Sequence, residues 1–92
     1  MSEVTVRIPT PLRGFIGGRD RVTVGGTTVR EALAALTDGR ETLRDRLFNA
    51  DGELHRFVNV YLGQEDVRRL GGLDAAVPAG ATLTVLVALA GG

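Results

Sequence analysis

The chain closes on Ala90-Gly91-Gly92, directly after an apolar run from Leu83 to Leu89. Glycines without a Cβ atom can thread a narrow channel, and they leave the last carbonyl open to attack from either face. An extended residue covers at most about 3.3–3.6 Å, so residues 89–92 can reach on the order of 14 Å beyond the body of the protein. Such an end could enter another protein's active site while the body stays outside. Its α-carboxylate, with an ordinary pKa of about 3.5, is anionic in the cell and a poor electrophile. A partner must activate it. Adenylation makes a mixed anhydride, and attack on that anhydride by an enzyme-borne sulfur nucleophile leaves a thiocarboxylate. The residues thus predict Gly92 as the loaded position.

The rest of the sequence offers little chemistry of its own. There is no cysteine, which excludes disulfides, thiolate catalysis and iron–sulfur ligation. The one histidine, His55, has no obvious partners for a metal site or a Ser/His/Asp triad. Neither an intrinsic catalytic residue nor a metal site is expected. "GFIGGR" has Arg19-Asp20 after its last glycine where a phosphate-binding P-loop needs Lys and Ser/Thr, so it reads as a loop. The Gly-Gly pairs at 17–18, 25–26 and 71–72 read as turns. Acidic and basic residues balance at 11 each, every basic one an arginine, so no net field draws the chain to nucleic acid or an anionic membrane. With no secretory signal and no apolar run of membrane-spanning length, a soluble cytoplasmic protein is expected.

The body that holds the end must come from 92 residues, enough for one core. "EVTVRI" alternates Val4, Val6 and Ile8 against polar neighbours, a half-buried strand. After Pro9, Pro11 and a glycine-rich loop, residues 21–24 alternate again and predict an antiparallel partner. Thr28 and Glu31 form a capping-box pattern. Val29, Leu33 and Leu36 then give one apolar helical stripe, ended at Asp38-Gly39. Leu43 and Leu47 suggest a second short helix before a turn at 49–52. In "ELHRFVNVYLG", Leu54, Val58, Val60 and Leu62 point one way and Phe57, Asn59 and Tyr61 the other, predicting a third strand. Phe57 and Tyr61 are candidates for a docking surface on the sheet, with a core role the competing reading. A short edge strand is expected at 67–70 and a helical turn at 73–77. The last strand, 82–89, is apolar enough for a central strand covered on both faces. Pairing the two end strands in the middle of one sheet gives an α+β, β-grasp arrangement: a mixed sheet of four to five strands with one main helix across it. Since the ferredoxin variant needs cysteines, the ubiquitin-like branch remains. Residues 1–88 would form the domain and 89–92 a flexible tail.

Five stretches carry a family resemblance: "IPT" at 8–10, "LHRFVNVY" at 54–61, "EDVR" at 65–68, "GGL" at 71–73 and the closing "AGG". In these the chain resembles the MoaD/ThiS family of ubiquitin-like sulfur carriers, and within it the CysO type of cysteine biosynthesis. "LHRFVN" followed by "EDVR" is the most specific part. The resemblance implies that Gly92 is thiocarboxylated, with Leu89, Ala90 and Gly91 read by partners. An E1-like adenylyltransferase with a rhodanese-type sulfurtransferase domain would load it, using ATP. A pyridoxal-phosphate cysteine synthase would accept the sulfur, and a zinc peptidase would release the cysteine. The chain itself would bind no cofactor. Val87 stands where such carriers often have proline, and "AGA" at 79–81 replaces a commonly acidic turn. Alternatives remain: the small subunit of molybdopterin synthase, docking to the large subunit; a carrier for another thio-cofactor or natural product; or a ubiquitin-like module for binding or for conjugation to lysines.

Overall fold

The computed structural model describes residues 3–88. Strand β1 (Glu3–Arg7) buries Val4 and Val6, as its alternation requires. It pairs antiparallel with β2 (Arg21–Gly25), Val6 opposite Val22. Between them the expected loop is a 3-10 helix, Thr10–Ile16, that buries Leu12 and Ile16. Pro11 in its first turn presets φ and needs no donor there. Two apolar residues four apart hold it against the core. Gly17, at φ 71°, ends it in the left-handed region.

Helix α1 (Val29–Leu36) starts at Thr28, whose Oγ1 accepts the Glu31 N–H at 3.1 Å. The Glu31 carboxylate reaches back to the N–H and hydroxyl of Thr27, both at 2.8 Å, one residue earlier than a capping box places it. Val29, Ala32, Leu33 and Leu36 are buried. Helix α2 (Glu41–Leu47) buries Leu43 and Leu47, as expected.

Strand β3 (Val58–Leu62) is shorter than the alternation from Leu54 predicted. Leu54 instead forms an isolated bridge with Phe48, and residues 55–57 make a knuckle between bridge and strand. The edge strand is also displaced. Strand β4 is Glu65–Asp66, and Val67–Arg69 is a 3-10 turn. The Asp66 carboxylate accepts the Arg68 N–H at 2.9 Å and the Val67 side chain is fully buried, so the chain turns inward instead of extending. The turn expected at 73–77 falls at Gly72–Asp74, because Gly71 and Gly72 take φ 112° and 73°, where a β-carbon would be strained.

Strand β5 (Thr82–Val87) lies at the centre of the order β2-β1-β5-β3-β4, parallel to β1 and antiparallel to β3. The mixed sheet and central end strands are those predicted. Cover on both faces is not: Leu83 and Val85 are buried, while Leu86 on the other face is 46% exposed. A single core cluster joins both helices to one face of the sheet, so apolar composition in β5 exceeds what that one face requires. Among the described residues no helix is long and apolar enough to cross a membrane.

Candidate functional site

Leu89, Ala90, Gly91 and Gly92, the predicted tail and loading position, lie outside the described residues. The structure describes the root from which they continue. Strand β5 ends at Val87, short of the predicted Leu89, and Ala88 still donates its N–H to the Phe57 carbonyl at 2.8 Å. That bond extends the β3–β5 ladder one step past the Val58–Val87 pair.

The open face of the sheet meets the root here. Asn59 lies opposite Leu86, and Tyr61 opposite Thr84. Phe57 is 44% exposed and Tyr61 half-buried, so neither belongs to the core cluster. The core reading of the two aromatics is thereby set aside. Leu86, which the apolar composition of the last strand placed under cover on both faces, instead joins Phe57 as an exposed apolar side chain. Further along the same face, Arg7 lies between Arg21 and Thr84.

His55 and Arg68 also stand at this place, and residue type alone did not single them out. The imidazole stacks on the Phe57 ring, centroids 4.9 Å apart and planes 10° from parallel. Its Nε2 lies 2.9 Å from the Asp45 carbonyl; a carbonyl only accepts, so Nε2 carries the proton. The His55 N–H meets the Leu47 carbonyl at 3.0 Å. Both bonds satisfy carbonyls in the last turn of α2, which has no later turn to pair them. Arg68 approaches from the other side and donates to Asn59 Oδ1, Val58 O and His55 O. The signal for both residues was the spacing of "LHRFVN" and "EDVR": in space the two stretches are one unit.

The chemistry these residues can perform themselves is slight. Among the described residues no three His, Cys, Asp or Glu side chains are grouped to hold a metal. Two concavities, about 450 and 630 Å³, are lined by residues such as Arg30, Asp74 and Arg44, and neither includes Phe57, Tyr61 or Leu86. What the site offers is a root hydrogen-bonded to the neighbouring chain and an aromatic–aliphatic surface beside it.

The model of the ThiS family matches residues 6–92. The chain belongs to the ThiS family. It is 43% identical over 91 residues to the sulfur carrier protein CysO of Mycobacterium tuberculosis, covering 97% of this chain and 98% of that one. A crystal structure of the Amycolatopsis orientalis BexX/CysO complex contains a chain that superposes with a TM-score of 0.88 at 47% identity, covering 97% of this chain and 99% of the other. Small archaeal modifier protein 1 of Methanosarcina acetivorans is similar in structure at 26% identity and a TM-score of 0.86, covering 100% and 98% of the two chains. These likenesses bear out the ubiquitin-like β-grasp and the family resemblance. Sulfur carriers of this family are not themselves catalytic.

Proposed function

We propose that this chain is a sulfur carrier whose Gly92 carboxylate is adenylated and converted to a thiocarboxylate that donates sulfur for cysteine biosynthesis. The observation that carries the reading is its 43% identity to a sulfur carrier protein along 97% of this chain and 98% of that one. The Gly91-Gly92 end supplies the group such a role needs.

In this reading the chain is a protein co-substrate. Its carboxylate attacks the α-phosphorus of ATP on an E1-like adenylyltransferase and pyrophosphate leaves. The terminal sulfur of a persulfide on the sulfurtransferase domain then displaces AMP, and a thiol cleaves the sulfur–sulfur bond of the resulting acyl disulfide, which leaves the thiocarboxylate on Gly92 and the enzyme sulfur in a disulfide with that thiol. The Gly92 thiocarboxylate would then add through sulfur to a three-carbon amino-acid acceptor that a partner cysteine synthase, by means of its pyridoxal phosphate, would supply. An S-to-N acyl shift puts cysteine in amide linkage to Gly92, and a zinc peptidase cuts that amide. ATP, pyridoxal phosphate and zinc all belong to these cytoplasmic partners. The body contributes grip: Phe57 and Tyr61, with Leu86 beside them, are the surface through which a partner holds the domain while residues 89–92 occupy its active site. That other sulfur carriers of this type act in complexes is supported by the BexX/CysO structure.

Mass spectrometry of the chain incubated with its adenylyltransferase, ATP and a sulfur source tests the proposal. One oxygen at Gly92 replaced by sulfur is the expected product, and a chain lacking Gly92 should fold normally and take up no sulfur. Undiminished loading of that truncation would refute the assignment. The likeness to an archaeal modifier protein favours a second reading, conjugation to target proteins. An amide between Gly92 and a target lysine in the same spectra would identify it.

A further inference from the structure

Residues 55–57, between the Leu54 bridge and β3, form no regular structure, yet they are held from two sides. On one side His55 is bonded to the Leu47 and Asp45 carbonyls of α2, at 3.0 and 2.9 Å. On the other, the Arg68 guanidinium donates from Nη1 to Asn59 Oδ1 at 2.7 Å, and from Nη2 to Val58 O at 2.7 Å and His55 O at 3.3 Å. The bond from Arg68 N–H to the Asp66 carboxylate, 2.9 Å, fixes where that side chain starts. A planar guanidinium presents its donors in a fixed fork, so it can tie several acceptors into one geometry. Phe57 sits between the two supports, and its carbonyl holds the Ala88 N–H at 2.8 Å. Ala88 is the last described residue before the tail. One arginine is thus linked through a single peptide segment to the root of the reactive end.

We infer that Arg68 is a positioning residue for the reaction at Gly92: by fixing the 55–57 knuckle to the start of β3 it keeps Ala88 in register with Phe57. The inference rests on the reading that Gly92 is loaded. A partner must grip the body and receive the terminal carboxylate at once, and a small misplacement of a reacting group far from its anchor lowers the fraction of productive encounters steeply. Lysine cannot substitute, because one ammonium on a flexible stem does not span the side-chain oxygen and two carbonyls with fixed angles.

The test compares the full chain with Arg68→Ala and Arg68→Lys, the latter keeping charge and apolar stem. Amide hydrogen exchange should show Ala88 exchanging about tenfold faster in both variants, with Val85, inside β5, unchanged. Loading is then measured as ATP–pyrophosphate exchange on the adenylyltransferase that loads the wild type, with the chain as the varied substrate. Because the chain is the substrate, a variant that is merely less folded lowers the effective substrate concentration and raises KM alone. Lost positioning lowers kcat, and the expected result is a fall of about tenfold with KM within about twofold of wild type. An unchanged kcat in both variants, or an unchanged Ala88 exchange rate, overturns the role given to Arg68. A wild-type chain that is never loaded would instead defeat the Gly92 reading on which it rests.

Discussion

Thr28 and Glu31 show how much one pair of side chains can settle. The Thr28 hydroxyl satisfies a helix N–H that has no partner within the helix. Truncation to Thr28→Ala should cost about 1 kcal/mol, read as a lower urea midpoint at unchanged slope. Glu31 is held below the ordinary glutamate value of 4.5, first by the Thr27 N–H and then by the Thr27 hydroxyl, against an opposing effect of desolvation. A carboxylate with a depressed folded-state pKa adds stability above its unfolded value, and that stability is lost as pH falls through the folded value. Unfolding midpoints followed from neutral pH to below 4.5 should therefore decline less steeply for Glu31→Gln than for wild type. The motif was legible because capping depends on residue type and a fixed spacing of three. The exact donor was not: that the carboxylate accepts from Thr27 instead of the Thr28 N–H depends on how the chain leaves β2.

At the scale of elements, periodicity found β1, β2, α1, α2 and the central part of β3, since each buries one face against the same core. It failed at 10–16, 55–57 and 67–77. There the structure depends on local turns whose burial is decided by distant neighbours, as when Val67 turns inward under the sheet. The junction of β2 and α1 is the tightest such place. A β-carbon on Gly26 would lie 2.8 Å from the Ala32 backbone nitrogen and 3.1 Å from the Glu31 carbonyl carbon. Backbone atoms in a capped helix cannot yield as a flexible side chain would. Gly26→Ala should accordingly destabilise by about 1–3 kcal/mol, measured by thermal or urea unfolding. No sequence signal distinguished this glycine from the turn glycines, because its constraint is close approach and not backbone angle.

For the whole molecule, the consequence of stacking both helices on one face of the sheet is that the other face is left uncovered, with Phe57 and Leu86 exposed on it. Phe57→Ala removes an exposed ring but keeps the carbonyl that holds Ala88. It should leave stability within about 0.5 kcal/mol of wild type, raise KM for loading about tenfold as a lost aromatic anchor would, and leave kcat unmoved. The opposite kinetic split from Arg68 would separate gripping from positioning in one assay. The sequence by itself determined the alternation that fixes which side of β1, β2 and β3 is buried. It also determined the caps of α1, the poverty of intrinsic chemistry and the Gly-Gly end, because all of these depend on residue identity and short spacings. Only the tertiary structure decided that Leu86 faces outward beside Phe57, and that "LHRFVN" and "EDVR" meet through Arg68 at the root of the tail. Those facts depend on the register of β5 between β1 and β3 and on which face the helices cover, relations between segments far apart in the chain that no local pattern of residues encodes.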